Sequence, residues 1–357
     1  MQNRTKVLVG LSGGVDSSVA AALLVEQGFE VTGISLQMWS AQGMENGNRC
    51  CTDVSYLRAQ KLADTLNIPF QLLNTRELFF TSVVQKFVAS YAMGQTPNPC
   101  IWCNQAIKWG LMLEYAGKIG ADYIATGHYA KIFKSQNGLI ELYRALDLTK
   151  DQSYVLSMLD QNQLSKTILP LGNLKKDDVR QLASHLGLET AYQPDSQDLC
   201  FVGSGNYQQF IRDYSPNVAT EGNIVDSNGN LLGKHNGLYA YTIGQRKGIK
   251  IASEAPYYVI EKDTKQNRLI VGRREEMGKQ TLRATAFNWI AGTPPDMSNF
   301  YQFKIRYNSN LTEGKIELSS DGTVEVIFDK PLLDITPGQL VVCYDGSKVL
   351  GGGFIDG

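Results

Sequence analysis

The chain has 357 residues, of which 43% are hydrophobic and 19% charged, and its formal net charge at pH 7 is −1. A chain of this length can bury a large core and divides into two or three domains. The near-neutral charge gives no global sign of nucleic-acid binding, six scattered cysteines exclude a disulfide-rich secreted scaffold, and no apolar run is long enough to span a membrane.

The N-terminal residues lead directly into an apolar run at residues 7–9 without the core of a signal peptide, so we expect a cytoplasmic protein. The stretch VLVGLSGGVDSSVAAALL at residues 7–24 predicts a buried strand, a tight glycine turn and an alanine-rich helix. Free N–H groups at the start of such a helix attract an anion. The stretch matches neither the Walker A pattern nor the dinucleotide fingerprint, so it predicts a third kind of phosphate loop; a glycine-rich turn without a ligand is the alternative.

Helical and short apolar segments alternate as far as about residue 200, which predicts a parallel sheet with helices on both faces. Ligands of such sheets bind beyond the carboxyl ends of the strands, where residues 10–17 and the pair Gly127-His128 are expected. The further strands are predicted at 30–37, 69–73 and 122–126, and the further helices at 55–66, 82–93, 104–119 and 175–186.

The segment TPNPCIWCN at residues 96–104 contains two cysteines at a Cys-x-x-Cys spacing. Its prolines favour an extended chain, and Asn104 is a plausible N-cap that would place Cys103 beside a helix N-terminus, where a thiol ionises more readily and becomes a nucleophile. Half a zinc site is the alternative, but no second ligand pair follows. Cys200 lies in a polar turn and could simply be a small core residue.

The residues beyond Gly203 predict two small β-rich domains that divide near residue 280, with hairpin turns at Asn228-Gly229 and Asp321-Gly322. Between residues 234 and 283 there are 11 Lys and Arg against 5 Asp and Glu, with four tyrosines interleaved. This window is as consistent with an RNA-facing surface as with an ordinary charged surface of a small domain.

The loop Ser12-Gly-Gly-Val-Asp-Ser17 resembles the signature of the PP-loop ATP pyrophosphatase superfamily, whose members cleave ATP between the α and β phosphates. The whole chain is similar to the bacterial tRNA 2-thiouridylase family, which replaces the C2 oxygen of the wobble uridine with sulfur. The motifs that carry this resemblance are TPNP at 96–99, CN at 103–104, ATGHY at 125–129, KDQSY at 150–154, CF at 200–201, GQRKG at 244–248, RY at 306–307 and TPGQ at 336–339.

The resemblance implies a PP-loop α/β domain at residues 1–202, of the adenine nucleotide alpha hydrolase-like class, a small central domain at 203–280 and a C-terminal β-barrel at 281–357. It implies ATP as cosubstrate, with Mg²⁺ on its phosphates. The ATP-binding residues that it implies are Gly10, Leu11, Ser12, Gly13, Gly14, Val15, Asp16, Ser17, Leu36 and Gly127.

The resemblance also assigns the cysteines. Cys200 matches the residue that receives a persulfide from a cysteine desulfurase or a sulfur-relay protein, and Cys103 matches the nucleophile that releases sulfide from it and leaves a Cys103–Cys200 disulfide. Many members have aspartate where this chain has Cys100, so Cys100, Cys103 and Cys200 could instead hold an iron–sulfur cluster. Cys50 and Cys51 are expected in a variable loop and Cys343 in the barrel core.

The implied substrate is tRNA, such as the glutamate, glutamine and lysine tRNAs. The residues implied to contact tRNA are Asn98, Pro99, Cys100, His128, Lys150, Asp151, Gln152, Arg306, Tyr307 and Gln339. Each of these residues could instead have a purely structural role, as a turn residue, a solvated charge or a wall of a pocket. The competing functions are another PP-loop ligase, which would not need Cys103 or Cys200, and an RNA-binding β module with an inactive nucleotide domain.

Overall fold

The computed structural model describes residues 4–40, 53–192, 199–202 and 206–356. Cys50 and Cys51, which we expected in a variable loop, lie outside the described residues. The first seven strands are β1 Lys6–Gly10, β2 Glu30–Gln37, β3 Phe70–Asn74, β4 Tyr123–Ala125, β5 Ala130–Lys134, β6 Ile140–Arg144 and β7 Thr167–Ile168. The helices among them and shortly after are α1 Val15–Glu26, α2 Asp53–Leu66, α3 Arg76–Phe79, α4 Gln85–Ala92, α5 Pro99–Cys103, α6 Met112–Lys118, α7 Ser153–Leu156, α8 Gln161–Ser165 and α9 Lys176–His185.

Five of these strands form a parallel sheet in the order β3-β2-β1-β4-β7. Side chains alternate across β1, so that Val7 and Val9 pack with α1 and α9, while Leu8 packs on the opposite face with Trp109 and Met112. Both faces of the sheet are therefore covered by helices, which explains why β1 is apolar throughout. The predicted α/β fold with a parallel sheet is confirmed.

Two long helical runs replace shorter predicted helices. Segments with wide π-type turns, Phe80–Val84 and Asn104–Leu111, join α3 to α4 and α5 to α6. The helical runs therefore cover 76–92 and 99–118, and each begins five or six residues before its predicted start. The remaining predicted strands and helices of this region are confirmed to within about two residues.

The next segment contains α10 Tyr207–Tyr214 and a four-stranded sheet in the order β10-β11-β8-β9. Its strands are β8 Gly222–Val225, β9 Leu231–His235, β10 Tyr258–Asp263 and β11 Arg268–Gly272. A small core of Ile224, Val259, Leu269 and Val271 holds this sheet together. The turn at Asn228-Gly229 connects antiparallel β8 and β9, as predicted. Short 3₁₀ helices occupy Glu189–Tyr192, Pro216–Val218, Leu238–Ala240 and Arg274–Glu276.

The last six strands close into a barrel, since the first and last of them also pair with each other. They are β12 Lys279–Trp289, β13 Tyr301–Lys304, β14 Thr312–Leu318, β15 Val324–Leu332, β16 Leu340–Asp345 and β17 Lys348–Ile355. The Asp321-Gly322 turn joins antiparallel β14 and β15, as predicted. Cys343 is fully buried with Phe303 and Val326, so its predicted place in the barrel core is confirmed.

One hairpin of the α/β region extends the barrel sheet. Strand β6 pairs with β17 through Tyr143↔Lys348 and Leu142↔Val349, and β5 continues the sheet beyond β6. The segment that follows this hairpin, residues 145–152, is thereby placed between the parallel sheet and the barrel. Among the described helices, none combines the length and the apolar character that crossing a bilayer would require.

Candidate active site

The phosphate loop joins β1 to α1 at the carboxyl end of the parallel sheet. Gly13 has φ of +72°, and a Cβ there would lie 2.4 Å from the carbonyl oxygen of Ser55, so only glycine fits. The Ser17 hydroxyl donates to the Gly14 carbonyl over 3.0 Å and accepts from the Ser12 N–H over 3.2 Å. The N-cap Gly14 provides no side-chain cap for α1. The first N–H groups of this 12-residue helix are therefore directed toward the loop and have no acceptor from an N-cap side chain, which suits the binding of an anion.

Asp16 of this loop is held by two side chains from elsewhere in the chain. Its carboxylate accepts from the Tyr129 hydroxyl over 2.7 Å and from Lys176 Nζ over 2.7 and 2.8 Å. Lys176 is only 7% exposed, and its ammonium also lies 5.7 Å from the centre of the Tyr129 ring. The site therefore contains a buried cation beside the loop where phosphates would bind.

Our sequence analysis missed Lys176 and Tyr129 as site residues. Lys176 is the first residue of α9, where a cation is unfavourable because the helix N-terminus is itself positive. That unfavourable position is the signal in the sequence that could have identified it.

The other predicted ATP-binding residues converge on the same edge of the sheet. Gly127 follows β4, and a Cβ there would lie 2.7 Å from the carbonyl carbon of Asp16 and 2.8 Å from the nitrogen of Ser17. The Leu11 N–H donates to the Ile34 carbonyl over 2.8 Å, which connects the loop to β2. Leu36 lies two residues further along β2, half-buried. The structure therefore brings the predicted residues 10–17, 36 and 127 together.

The position of Cys103 differs from our prediction, since the helix begins at Pro99 and not after Asn104. The Asn98 side chain accepts from the Cys100 N–H over 3.2 Å and is the N-cap, while proline suits the first helical position because no N–H is needed there. Asn104 is buried and donates instead to the Val155 carbonyl over 2.9 Å. Cys100 therefore lies in the first turn, and Cys103 lies beyond it, outside the direct influence of the helix N-terminus.

The two predicted catalytic cysteines border one apolar cluster. Cys103 is buried among Phe79, Phe87 and Phe201, and the half-buried Cys200 packs against the same cluster. Cys100 is exposed. Within the described ranges, no group of three or more His, Cys, Asp or Glu side chains is arranged to hold a metal ion.

The segment 150–152, predicted to contact tRNA, is tied to the phosphate loop by hydrogen bonds. The buried Asp151 accepts from the Ala145 N–H, the Ser153 N–H and hydroxyl, and Arg144 Nε. Gln152 exchanges two bonds with the Tyr129 backbone, of 2.8 and 3.0 Å. Because the Tyr129 hydroxyl binds Asp16, one residue connects this segment to the loop. Lys150 is half-buried, and its N–H donates to the Asp147 carbonyl over 3.1 Å.

His128 is a buried wall of the same region. Its Nδ1 lies 2.8 Å from the Thr126 hydroxyl and its Nε2 lies 3.3 Å from Lys108 Nζ. Burial, and next the Lys108 ammonium, hold the pKa of His128 well below its usual value. The imidazole is therefore neutral at neutral pH, and its Nε2 accepts from the lysine.

The barrel residues that we predicted to contact tRNA form hydrogen bonds and ring contacts with other segments of the chain. Gln339 Nε2 donates to the Thr96 carbonyl over 2.6 Å, so the TPGQ turn contacts the segment that leads to Cys100. Arg306 donates to the Ile243 carbonyl over 2.9 Å and also to the Thr336 hydroxyl. Tyr307 is half-buried and packs edge-on against Tyr154 with ring centres 6.0 Å apart. Burial, and next the charges of Asp151 and Cys100, raise the pKa of Tyr307.

The phosphate loop begins α1 without a side-chain cap, and it lies at the carboxyl edge of a parallel sheet whose two faces are covered by helices. These features define a nucleotide-binding α/β protein of the PP-loop, or HUP, class. Three family models match in order: a tRNA methyl transferase HUP domain at residues 5–204, a tRNA methyl transferase PRC-barrel domain at 208–273 and an aminomethyltransferase beta-barrel domain at 279–355. The chain belongs to the tRNA-specific 2-thiouridylase family.

Relatives over the full length support that membership. The tRNA-specific 2-thiouridylase MnmA of Magnetococcus marinus is 43% identical over 357 residues, covering 99% of this chain and 100% of the relative. The proteins of the same name from Geotalea uraniireducens and Nostoc punctiforme are each 44% identical, covering 99% and 98% of this chain and 95% and 99% of theirs. Among solved structures, a 4-thiouridine synthetase in complex with RNA and ATP matches 60% of this chain and 51% of its own, with 15% identity and a TM-score of 0.35.

Proposed function

We propose that this protein is a tRNA-uridine 2-sulfurtransferase, which uses ATP to replace the C2 oxygen of the wobble uridine in tRNA with sulfur and releases AMP and pyrophosphate. The observation that carries the proposal is a combination of two features in the domain that matches the HUP family model. These features are a phosphate loop at a helix N-terminus and two cysteines on one apolar cluster. A tRNA substrate of this kind is consistent with the expected cytoplasmic location.

The first half of the reaction activates the uridine. A carbonyl oxygen is a poor leaving group, so transfer of AMP to that oxygen is needed before C2 can be attacked. With ATP in the loop, the N–H groups of α1 and the Lys176 ammonium, which binds Asp16 of the loop, would lie beside the phosphates and stabilise the charge that develops as pyrophosphate leaves. Mg²⁺, when bound with ATP, would neutralise phosphate charge, and the Asp16 carboxylate is a suitable hard oxygen ligand at the loop.

The second half transfers sulfur. A persulfide on Cys200 carries a terminal sulfur bonded to Sγ. Attack by the Cys103 thiolate on that Sγ forms the Cys103–Cys200 disulfide and expels the terminal sulfur, with its electron pair, as hydrosulfide. Hydrosulfide adds to C2, AMP departs with the former carbonyl oxygen, and an external thiol reduces the disulfide before the next cycle. The sulfur donor in this scheme is a cysteine desulfurase or a relay protein.

The proposed tRNA surface contains the predicted residues of segments 98–100, 150–152, 306–307 and 339 together with His128. Their links to Thr96, Tyr129 and Thr336 support the idea that this surface is built around the active site. Several of these side chains are engaged within the protein, notably Asp151 and Arg306, and we propose that they act by holding the surface in shape.

The test is an incubation of the protein with unmodified tRNA, ATP, Mg²⁺, a cysteine desulfurase, cysteine and a thiol reductant, followed by digestion of the RNA and mass spectrometry. We expect 2-thiouridine from the wild type and from Cys343→Ala, and none from Cys103→Ser or Cys200→Ser. Full activity of the Cys103→Ser and Cys200→Ser variants would favour another PP-loop chemistry, and binding of tRNA without any ATP cleavage would favour the inactive RNA-binding module.

A separate experiment tests the cluster alternative. We expect the protein to remain colourless after anaerobic reconstitution with iron and sulfide. We also expect the Cys100→Ser variant to keep most of its activity when a persulfide is supplied. A brown, active wild type beside a colourless, inactive Cys100→Ser variant would contradict the persulfide route.

A further inference from the structure

We propose that Cys100 is a resolving cysteine, which attacks the Cys103–Cys200 disulfide left by sulfur transfer and moves it to Cys100 and Cys103. This inference rests on the proposed function, in which the Cys103–Cys200 disulfide forms in every cycle. Cys200 can accept a new persulfide only after it has become a thiol again, so this disulfide must be opened before the next turnover.

The surroundings of Cys103 and Cys200 hinder a reductant from solvent. Cys103 is 8% exposed and lies in the cluster that contains Phe79, Phe87 and Phe201. Cys200 is half-buried and packs against the same cluster. Thiol–disulfide exchange requires the incoming sulfur to reach a sulfur of the disulfide, and its rate therefore depends on access. A thiol that belongs to the protein has an advantage over an external one at this place.

Cys100 has the position that a resolving thiol needs. It is exposed, and it lies three residues before Cys103 in the helical run 99–118. Residues three apart on a helix have Cβ atoms about 5–6 Å apart, which is about 1–2 Å more than the separation in a disulfide. A small adjustment of the first turn therefore joins the two sulfurs. Because both thiols belong to one segment, Cys100 attacks at an effective concentration of about millimolar or more.

The start of the helical run favours the reactive form of a thiol. The Asn98 side chain is the N-cap and accepts from the Cys100 N–H over 3.2 Å, which places Cys100 in the first turn. Cysteines at helix N-termini and in Cys-x-x-Cys motifs ionise more readily than ordinary cysteines, and the thiolate is the attacking species in exchange. The spacing of Cys100 and Cys103 meets both conditions.

The proposed step is an exchange without net oxidation or reduction. The Cys100 thiolate forms a bond to the Sγ of Cys103 while the Cys103–Cys200 bond breaks, and the electron pair of that bond leaves on the Cys200 thiolate. An external dithiol then attacks the exposed Cys100, forms its own disulfide and returns two electrons and two protons to Cys100 and Cys103. Cys200 is ready for the next persulfide as soon as the exchange is complete.

Disulfide mapping after a single turnover tests the proposal. Trypsin leaves Cys100 and Cys103 together in the peptide 87–108, whereas Cys200 lies in the peptide 181–212. The protein is reduced, separated from the reductant, loaded with persulfide by a cysteine desulfurase and cysteine, and separated from both. It is then mixed with tRNA, ATP and Mg²⁺, quenched with N-ethylmaleimide and digested without reduction.

We expect the wild type to give the peptide 87–108 unalkylated and lighter by two hydrogens, with Cys200 alkylated. Cys100→Ser should instead give the peptides 87–108 and 181–212 cross-linked. The cross-link in the wild type, with Cys100 alkylated and 2-thiouridine present in the RNA, would overturn the proposal and leave the proposed function intact. A wild type that forms neither 2-thiouridine nor a disulfide would contradict the proposed function, and this proposal with it.

A second measurement separates this role from any contact of Cys100 with tRNA. The steady-state rate of 2-thiouridine formation is measured at low cysteine concentration, once with thioredoxin, a protein dithiol, and once with the small dithiol dithiothreitol. The ratio of the two rates within one variant cancels an effect on tRNA binding. We expect Cys100→Ser to lower the thioredoxin-to-dithiothreitol ratio by about tenfold, because the large dithiol reaches the buried disulfide poorly.

The matched control for this ratio is Cys343→Ala, which alters a buried cysteine of the barrel core and should leave the ratio as in the wild type. An unchanged ratio in Cys100→Ser, or the same decrease in Cys343→Ala, would overturn the proposal.

Discussion

At the scale of single residues, the contact between Asp16 and Lys176 joins the phosphate loop, where we propose that ATP binds, to the start of α9. The two side chains come from positions 160 residues apart, and both Asp16 oxygens accept from the ammonium. A buried lysine beside a phosphate loop stabilises the negative charge that develops when a phosphate bond breaks.

We expect Lys176→Met to lower the rate of ATP-dependent pyrophosphate release by about 10²-fold while tRNA affinity changes less than about twofold. Methionine retains most of the buried volume, and circular dichroism would check that the fold persists. The control is Lys175→Met, at the neighbouring N-cap position. Equal losses in the two variants would contradict a specific role for Lys176.

His128 gives a prediction on pH. Since its pKa is depressed in the folded protein, only the unfolded chain takes up a proton there just below pH 6.5. The free energy of unfolding should therefore fall as the pH decreases below about 6.5, by up to about 1.4 kcal/mol per pH unit from this residue, and His128 contributes no slope above that range.

Urea denaturation between about pH 7 and 5 measures this slope. His128→Gln should make it shallower, because the glutamine side chain does not titrate. Burial also lowers the pKa of His235, so part of the slope should remain in His128→Gln. Identical slopes in the wild type and in His128→Gln would contradict the prediction.

At the scale of elements, the helical run 99–118 connects the cysteine segment to the core of the α/β region. Its N-cap Asn98 aligns the first turn, and its π-type segment Asn104–Leu111 follows Cys103 directly. Wide turns of this kind are frequent at functional sites. Trp102 stacks on Phe354 of the barrel, so the start of this run also contacts β17.

We expect Asn98→Ala to lower the free energy of unfolding by about 1 kcal/mol, because the Cys100 N–H loses its acceptor. Asn98→Asp should restore the stability, since aspartate is an equally good N-cap. Tryptophan fluorescence in urea is a suitable measurement because Trp102 and Trp109 lie in this run. If both variants are equally destabilised, the cap is not the reason for asparagine at this position.

At the scale of the whole molecule, the barrel, the central sheet and the α/β region meet around the cysteine segment. Thr96 donates to the Pro337 carbonyl over 2.9 Å and its carbonyl accepts from Gln339, while Arg306 contacts the Ile243 carbonyl. The basic window at 234–283 contains charges that are already paired, such as Lys234 with Glu221 and Arg268 with Asp263. With a net charge of −1, binding of tRNA must depend on local surfaces.

We therefore expect tRNA affinity to decrease by at least about tenfold between roughly 50 and 200 mM salt, because phosphate contacts release counterions from the RNA. Filter binding or fluorescence anisotropy over this range gives the slope. ATP affinity, measured in parallel, serves as the comparison and should change less. If tRNA affinity does not change with salt concentration, phosphate contacts do not contribute to binding.

The sequence by itself determined the phosphate loop, the parallel sheet and the hairpins of the β-rich regions. These features depend on residues that are neighbours in the chain: Gly13 adopts a positive φ, and Asn228-Gly229 and Asp321-Gly322 form turns between adjacent strands. Local turn chemistry and hydrophobic periodicity act over a few residues, so a single sequence displays them.

Only the tertiary structure decided which distant side chains complete the site. Asn104 looked like an N-cap, but its burial against Val155 gave it another partner, and Asn98 became the cap. Lys176 reaches Asp16 only because α9 packs beside α1 on one face of the sheet. Such contacts depend on how layers pack, and packing is set by the burial of many side chains together, which no local pattern of residues encodes.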